Sequence, residues 1–369
     1  MGSFRVSTRV HESSGLHVDM APIPPSRQSA IVLSKSAATN SSLSALIQSV
    51  SSAAALVISP VESEPSVQWL ESRFPQVREV ELDHIVAIGG GSCIDTAKVL
   101  AFAYARPEVA SLSVLASSAS EATRMTPNIT AVPTTAGTGS EVTSFATVWD
   151  RKYQRKLSVD HESLTPTHAL LIPEALSSLR KRNAVAPLLD AMSHSLESLW
   201  NSSSSEFSDV HACSALRKIF EFGPEYLLGV REPQVLRHVQ LAATNAGIAI
   251  QQTRTSIAHA VSYPLTLNKG IPHGYACAFL LPAIWTYVAH REPVRYARIS
   301  QFLGHRSIEE TRSRVEELLQ IGELQSALQQ CGFSKTDVSF EEVQSYSRSQ
   351  NFSQPLTAEV LESWVDECV

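Results

Sequence analysis

The fold of this chain is decided by the stretch HIVAIGGGSCIDTAK at residues 84–98. Its apolar start predicts a strand buried in a parallel sheet, and its second half predicts a helix. The glycines between them, Gly89 to Gly91, let the backbone approach a ligand closely, and the N–H groups of a new helix favour an anion such as a pyrophosphate. Ser92 is the expected N-cap of that helix. A tight turn without a ligand is the alternative that this stretch leaves open.

Similar apolar runs lie on both sides of this stretch. They predict strands within residues 30–33, 55–58 and 131–133, with helices between them, which is the pattern of a parallel sheet covered on both faces. After about residue 176 the hydrophobic period becomes helical and the predicted strands stop. The sequence therefore predicts an α/β fold, with a Rossmann-like parallel-sheet domain at residues 1–178 and an all-helical domain at residues 179–369.

A second loop with glycines and hydroxyl groups follows the strand that ends at Pro133. This loop spans residues 133–141 and contains Thr134, Thr135 and Thr138. In open parallel sheets, ligands bind at the carboxyl ends of the strands. Two such loops in one sheet therefore predict a dinucleotide site.

The composition excludes several classes of protein. The 369 residues carry a net charge of −6, and 43% are hydrophobic and 18% charged. This composition is typical of a globular protein and gives no electrostatic reason to bind nucleic acid or an anionic membrane. No stretch reaches the roughly 18 apolar residues of a membrane helix. The five scattered cysteines favour free thiols in a reducing compartment, so the cytoplasm is the expected location.

Four residues of the second half are candidate metal ligands. Asp190 and His194 are four apart and share one face of a predicted helix, although such a polar stripe is usually just a solvated face. His259 lies in an apolar helical stretch, where a core histidine with a satisfied partner is the alternative, and His273 opens the next predicted helix. Together, one carboxylate and three imidazoles suit a divalent transition metal such as Fe²⁺ or Zn²⁺, and no thiolate is among these candidates.

These segments together resemble the iron-containing alcohol dehydrogenase family. The resemblance spans roughly residues 80 to 285 and rests on several motifs that occur in the same order. The motifs are Gly89–Lys98, Pro133–Glu141, Asp190–His194, His259 and Pro272–Gly274.

The resemblance implies a metal-dependent NAD(P)H alcohol dehydrogenase with its active site in the cleft between a nucleotide domain and a helical domain. It makes Asp190, His194, His259 and His273 the metal ligands, and it makes a homodimer the expected assembly. It also implies a set of residues that bind the nicotinamide cofactor, NADH or NADPH. This set is Gly89, Gly90, Gly91, Ser92, Asp95, Thr134, Thr135, Thr138 and Lys156.

A closer resemblance, to one branch of the family, narrows the range of expected substrates. Segments 197–202, 262–266 and 274–277 resemble the phosphonoacetaldehyde reductase branch, which implies reduction of phosphonoacetaldehyde to 2-hydroxyethylphosphonate. Arg254 and Lys269, which bracket His259, are the candidate cations for the phosphonate. Tyr263 stands where many family members have a histidine, so this tyrosine, water or a ribose hydroxyl is the candidate proton donor. Ser34 stands where NAD-preferring members have an acidic residue, so NADPH can be accommodated.

Three rival functions remain open. Another small carbonyl compound, such as phosphonopyruvate, lactaldehyde or maleylacetate, is an alternative substrate, and substrate profiling separates these. A lyase or cyclase of the dehydroquinate synthase type shares a nicotinamide domain and a metal but shows no net redox change. The metal ligands of that family are Glu-His-His. Net consumption of NAD(P)H distinguishes a dehydrogenase from such a lyase or cyclase. A non-catalytic binding protein would hold neither a stoichiometric metal nor a nucleotide.

Overall fold

The computed structural model describes residues 6–13, 28–117 and 122–368. They form two compact units, and the chain passes from the first to the second between Leu179 and Arg180. Over the described ranges, no helix combines the length and the apolar character needed to cross a membrane.

The first unit is built on a parallel sheet. In its described residues the strands are β1 (Arg9–Glu12), β2 (Ser29–Ser34), β3 (Leu56–Val61), β4 (His84–Gly89), β5 (Asn128–Pro133), β6 (Phe145–Asp150), β7 (Arg155–Asp160) and β8 (His168–Leu171). Six of them form a sheet in the order β1-β8-β5-β4-β2-β3, in which every pairing is parallel. Strands β6 and β7 form a separate antiparallel pair.

Three of the four predicted strands, β2, β4 and β5, lie next to one another inside the sheet, and the fourth, β3, is an edge strand. Every residue of β2 and β4 is buried, and Ile31 lies opposite Val86. Because both faces of a parallel sheet are covered, these strands are continuously apolar rather than alternating. Burial of each large side chain contributes roughly 1.5–3 kcal/mol to stability. The sequence predicts none of β1, β6, β7 and β8, and β1 is largely exposed.

Helices connect the strands of the first unit. They are α1 (Lys35–Ala38), α2 (Ser44–Ala53), α3 (Val67–Glu71), α4 (Phe74–Arg78), α5 (Gly91–Ala105) and α6 (Leu112–Ser117). Short 3-10 segments lie at Ser41–Leu43, Ser140–Val142, Glu162–Leu164 and Pro173–Leu176.

Helix α5 is buried on nearly all sides, and it includes a buried lysine. The Lys98 ammonium, which is 0% exposed, donates to Ser140 Oγ at 2.8 Å, to Thr143 Oγ1 at 3.2 Å and to the Phe145 carbonyl at 2.9 Å. A buried charge is costly unless it is hydrogen-bonded. Lys98 therefore fixes α5 to the second loop of the predicted dinucleotide site, through Ser140, and to the residues that lead from this loop into β6.

The second unit is helical throughout its described residues, apart from an isolated β-bridge between Asn201 and Phe352. Its helices are α7 (Lys181–Leu199), α8 (Glu206–Leu227), α9 (Pro233–Thr253), α10 (Ile257–Lys269), α11 (His273–Ala278), α12 (Leu281–Arg291), α13 (Pro293–Phe302), α14 (Ile308–Ile321), α15 (Leu324–Gln330), α16 (Phe340–Ser345) and α17 (Ala358–Cys368). Short 3-10 segments lie at Lys335–Asp337 and Ser347–Asn351. The predicted order, a parallel sheet followed by helices, is confirmed.

Candidate metal centre and nucleotide loops

The polar face of α7 is buried rather than solvated. Asp190 and His194 are each 5% exposed, and Glu197 is 0% exposed. The apolar stripe that includes Leu188 and Met192 is buried as well. Because buried charged and polar groups are costly without partners, a helix buried on both faces must satisfy its polar residues internally. This excludes the alternative of a solvated stripe.

The predicted metal ligands converge on one carboxylate oxygen. Asp190 Oδ1 lies 3.3 Å from His194 Nε2, 3.4 Å from His259 Nε2 and 4.0 Å from His273 Nε2. The rings of His194 and His259 stack with their centroids 4.9 Å apart, and those of His259 and His273 meet edge to face at 5.1 Å. The structure thus brings all four predicted side chains together from α7, α10 and α11.

A close approach of two helices positions His273. A Cβ atom on Gly274 would lie 1.8 Å from the carbonyl oxygen of Ala186, which is one turn before Asp190 in α7. Only glycine fits against the backbone at this distance. Gly274 therefore allows the start of α11, which carries His273, to lie against the turn of α7 that leads to Asp190.

The chemistry of the cluster fits a divalent cation. Among the described residues, Asp190 Oδ1 and His259 Nε2 are buried and have no hydrogen-bond partner. Buried polar atoms nearly always have one. A cation between the carboxylate and the imidazoles would satisfy both atoms, and oxygen and nitrogen donors suit Fe²⁺ or Zn²⁺. The His273 side chain is 25% exposed, so the cluster is open to solvent on that side.

A buried carboxylate holds His259 in place. Glu197 Oε2 lies 2.5 Å from His259 Nδ1, and Glu197 Oε1 accepts the His259 backbone N–H at 3.1 Å. Metal-binding histidines usually donate their second ring N–H to such a group, which fixes the tautomer and the ring orientation. The sequence did not predict this role, although Glu197 continues the face of α7 that carries Asp190 and His194.

The charges in this cluster depend on one another. Burial favours the neutral carboxyl of Asp190, but His194, His259 and His273 outweigh it and hold the pKa of Asp190 below its ordinary value. The pKa of His259 lies well above its ordinary value. Burial opposes the imidazolium form of His259, but the Glu197 carboxylate beside it favours this form and raises the pKa. A cation that binds here therefore has to displace protons.

A cysteine also faces the cluster. Cys277 is fully buried one turn after His273 in α11, and its Sγ lies 3.6 Å from His273 Nε2 and 3.7 Å from His273 Nδ1. One atom each of Asp190, His259, His273 and Cys277 lie within 4.8 Å of one another. The sequence did not predict a sulfur atom at this centre. The missed signal is the spacing of four residues from His273, which places both side chains on one helix face.

The two predicted nucleotide loops lie against each other in the first unit. A Cβ atom on Gly90 would lie 3.1 Å from Thr135 Cγ2, and one on Gly91 would lie 2.5 Å from Thr138 Cγ2. A larger residue at position 91 would therefore displace Thr138. The contacts lie just beyond the carboxyl ends of β4 and β5, where parallel sheets bind their ligands.

Gly89 connects two further predicted residues. Its carbonyl accepts the Thr134 N–H at 3.0 Å, and a Cβ atom on Gly89 would lie 2.8 Å from Ser34 Cβ. Ser34 Oγ also accepts the Ala37 N–H at 3.2 Å, so it caps α1. Ser34, Gly89 and Thr134 therefore lie together where the adjacent strands β2, β4 and β5 end.

Ser92 is not the N-cap of α5. The helix begins at Gly91, so the N-cap is Gly90, whose backbone is extended. Ser92 lies inside the first turn, and its Oγ accepts the Glu64 N–H at 3.3 Å. The helix begins earlier than the sequence predicted, because the turn after β4 is tighter than expected and its last glycine, Gly91, already belongs to the helix.

Asp95 lies in α5 shortly after the glycine loop, and Lys156 lies on β7. Both carboxylate oxygens of Asp95 accept hydrogen bonds, from Ser140 Oγ at 2.5 Å and from the Thr147 N–H at 2.9 Å. Burial raises the pKa of Asp95, and the charge of half-buried Lys156 on β7 is among those that oppose the rise. These bonds indicate that Asp95 positions the second loop.

Arg254 lies between α9 and α10 in an unusual backbone conformation. Its φ of 66° and ψ of 176° fall in a region that almost only glycine adopts, at a cost of about 1–3 kcal/mol. Its carbonyl accepts a bond from Asn201 Nδ2 at 3.2 Å, and its Nη1 donates to the Gln251 carbonyl at 3.3 Å. Residues in such conformations cluster at functional sites.

The other two predicted catalytic residues lie on α10. Tyr263 is 4% exposed, and its ring is nearly parallel to that of His273 with the centroids 6.5 Å apart. It also meets the Tyr346 ring edge to face at 5.1 Å. Lys269, the last residue of α10, forms an ion pair with Asp337 at 3.0 Å, which offsets its charge. The structure therefore brings Tyr263 to the metal cluster and gives Lys269 an acidic partner.

Two family models together match most of the chain. The model described as iron-containing alcohol dehydrogenase matches residues 16–173, and the model described as Fe-containing alcohol dehydrogenase family, C-terminal, matches residues 184–362. A solved structure of sulfoacetaldehyde reductase from Bifidobacterium kashiwanohense in complex with NAD⁺ superposes with a TM-score of 0.87 at 21% identity. That comparison covers 100% of this chain and 98% of the other, and it supports the fold.

Relatives of known activity agree with the family models. Phosphonoacetaldehyde reductase of Streptomyces viridochromogenes is 38% identical over 216 residues, which are 58% of this chain and about half, 55%, of that relative. An alcohol dehydrogenase of Thermococcus barophilus is 32% identical over 259 residues, which are 69% of this chain and 67% of that relative. The chain therefore belongs to the iron-containing alcohol dehydrogenase family.

Proposed function

We propose that this chain reduces a small anionic aldehyde, phosphonoacetaldehyde, to 2-hydroxyethylphosphonate with NADPH or NADH at a metal centre. The observation that carries the proposal is the convergence of Asp190, His194, His259 and His273 around buried atoms that lack partners. The 38% identity to a phosphonoacetaldehyde reductase supports this substrate.

Each group of residues has a separate task in this reaction. A divalent cation held by the four side chains would supply Lewis acidity for reduction of the aldehyde. Glu197 keeps His259 Nε2 directed at the centre by holding the other ring nitrogen. The glycine loop at residues 89–91 binds the pyrophosphate, so that the nicotinamide is fixed for hydride transfer to the carbonyl carbon. Tyr263, water or a ribose hydroxyl donates the proton that completes the alcohol.

Arg254 is the better of the two candidate cations for the phosphonate. Lys269 already has an acidic partner in Asp337, which offsets its charge. Arg254 also lies only five residues before His259, and its strained backbone is anchored by Asn201. A guanidinium binds phosphonate oxygens in a fork geometry that an ammonium cannot match.

The substrate assignment is tested by comparing phosphonoacetaldehyde with propanal, an uncharged aldehyde that has a methyl group in place of the phosphonate. The variant is Arg254→Gly, because glycine tolerates the backbone conformation, so that loss of the side chain adds no strain. A bond to a charged group contributes about 1.5–3 kcal/mol, so kcat/KM for phosphonoacetaldehyde should fall roughly 10- to 100-fold, with propanal unaffected. Lys269→Gln should change little. Equal losses with both aldehydes, or no loss with either, would refute the anion-binding role.

We further propose a preference for NADPH. The end of β2 carries Ser34 in place of an acidic residue, and Lys35 follows it, although Glu62 pairs with Lys35 at 3.3 Å. A carboxylate at position 34 would repel a 2′-phosphate and accept a bond from a 2′-hydroxyl. Ser34→Asp should therefore shift kcat/KM from NADPH toward NADH, whereas Ser49→Asp on the exposed face of α2 should not. An unchanged ratio in Ser34→Asp would contradict this preference.

The same assays distinguish the proposed function from the rival functions. A panel with phosphonopyruvate and lactaldehyde identifies a different small carbonyl substrate if either exceeds phosphonoacetaldehyde in kcat/KM. Turnover without net loss of NAD(P)H would indicate a reaction of the dehydroquinate synthase type. The homodimer remains a prediction that the molar mass in solution will test.

A further inference from the structure

Two asparagine side chains from distant parts of the chain hold the strained turn at Arg254. Asn201, which follows α7, donates from Nδ2 to the Arg254 carbonyl at 3.2 Å. Asn351, the last residue of a 3-10 segment, donates from Nδ2 to the next carbonyl, that of Thr255, at 2.8 Å. Asn201 is 2% exposed and Thr255 is 6% exposed, so both bonds are largely shielded from water. We call Asn201 and Asn351 the asparagine clamp.

A β-bridge fixes the two members of the clamp relative to each other. Asn201 pairs with Phe352 in this antiparallel bridge, and beside it the Ser202 N–H donates to the Asn351 carbonyl at 2.8 Å. Phe352 is 8% exposed, and its ring meets that of Trp364 on α17 edge to face at 5.9 Å. The segment that carries Asn351 is therefore anchored by a buried aromatic contact, and both amides are held at fixed positions beside the turn.

The clamp maintains a backbone conformation that arginine does not favour. Arg254 has a φ of 66° and a ψ of 176°, and a residue with a side chain relaxes to negative φ unless its surroundings prevent it. On the other side of the turn, the Arg254 N–H donates to the Ile250 carbonyl at 2.8 Å at the end of α9. The peptide groups before and after Arg254 are therefore both fixed, and they determine the direction in which its side chain leaves the backbone.

We propose that the asparagine clamp positions Arg254 for the anionic group of the substrate. The inference rests on the proposed function, in which the Arg254 guanidinium binds the phosphonate. Asn201 and Asn351 are positioning residues in this scheme, because they act on the turn and not on the substrate. Without the clamp the turn relaxes and the guanidinium changes its direction, so recognition of the anion should suffer more than reduction of an uncharged aldehyde.

A double-mutant cycle of Asn351→Ala and Arg254→Gly tests the proposal. Loss of one neutral hydrogen bond should lower kcat/KM for phosphonoacetaldehyde about 3- to 10-fold through a higher KM, and it should change that for propanal much less. In the Arg254→Gly background, Asn351→Ala should have no further effect, because glycine adopts the turn without strain and the guanidinium is absent. The control is Asn245→Ala, which removes an amide bond to the Leu241 carbonyl within α9 and should leave the ratio of the two aldehydes unchanged.

The outcomes of this cycle separate the clamp from the proposed function. A selective loss in Arg254→Gly without one in Asn351→Ala refutes the clamp, while the anion-binding role of Arg254 stands. Equal losses with both aldehydes in Asn351→Ala, or the same selective loss in the Arg254→Gly background, also refute the clamp. No selective loss in Arg254→Gly overturns both. Asn351→Leu, which removes the donor but keeps a side chain of similar shape, replaces the alanine variant if that variant does not fold.

Discussion

Replacement of the buried carboxylate behind His259 should weaken metal binding strongly. Glu197 accepts two bonds from His259, one from the ring Nδ1–H and one from the backbone N–H, and it is 0% exposed. In Glu197→Gln the amide offers one acceptor oxygen and one donor NH₂ group, so one of the two N–H groups of His259 must face a donor. No exposed surface allows water to replace the lost acceptor.

The magnitude of this effect follows from the geometry. Loss of such a supporting group typically lowers metal affinity about 10- to 100-fold, which is about 1.4–2.8 kcal/mol. We expect the upper part of this range, because the substitution removes the charge and also mismatches one of two hydrogen bonds. The pKa of Glu197 is held below its ordinary value, since His259 outweighs the effect of burial, so the carboxylate is ionised at neutral pH.

The assay is a competition titration of metal-free protein against a chelator of known affinity, with Zn²⁺ as the metal. The control is Glu221→Gln, which makes the same substitution at an exposed position of α8. Reductase activity of Glu197→Gln should recover in part at high metal concentration, because the residue positions a ligand and does not react itself. An unchanged metal dissociation constant in a folded Glu197→Gln protein would refute the positioning role.

Two further predictions concern the first unit. Gly91→Ala should raise the KM for NADPH, because the new Cβ would lie 2.5 Å from Thr138 Cγ2, and adding Thr138→Ala should restore part of the loss. A KM that does not change would contradict the close packing of the two loops. Burial lowers the pKa values of His84 and His168, the second with help from His11. Folding therefore favours the neutral form of both imidazoles. Their contribution to the free energy of unfolding is fully present above pH 6.5, the ordinary pKa of histidine, and is lost as the pH falls from there toward their lower pKa in the folded state. Tm should therefore decrease as the pH falls below 6.5, and it should decrease less steeply in His84→Gln than in the wild type. An equal pH dependence of Tm in the two proteins would contradict this role of His84.

The central strands β2 and β4 could be predicted because they are buried on both faces. Residues 30–33 and 85–88 are continuously apolar, and continuous runs between helices are typical of parallel strands. The edge strand β1 could not be predicted in this way, since Arg9–Glu12 is mostly polar and exposed. It becomes a strand through its pairing with β8, which the local sequence does not encode.

The candidate site was predictable in residue type but not in its supporting contacts. The spacing of Asp190 and His194 predicts that they share one helix face. Only the burial of α7 in the structure distinguishes a metal site from a solvated polar stripe. The supporting roles of Glu197 and Gly274 depend on which helix lies opposite, so spacing alone could not reveal them. The strained turn at Arg254 has no glycine or proline to signal it.

The central claim is that the four-residue cluster holds a cation that the reduction requires. The most direct measurement is the rate of NADPH oxidation with phosphonoacetaldehyde as Fe²⁺ or Zn²⁺ is added stepwise to metal-free protein. We predict no turnover without metal, and a rate that rises and saturates at a single equivalent per chain, with no rise in Asp190→Asn. Full turnover by the metal-free protein, or an undiminished response in Asp190→Asn, would contradict the account.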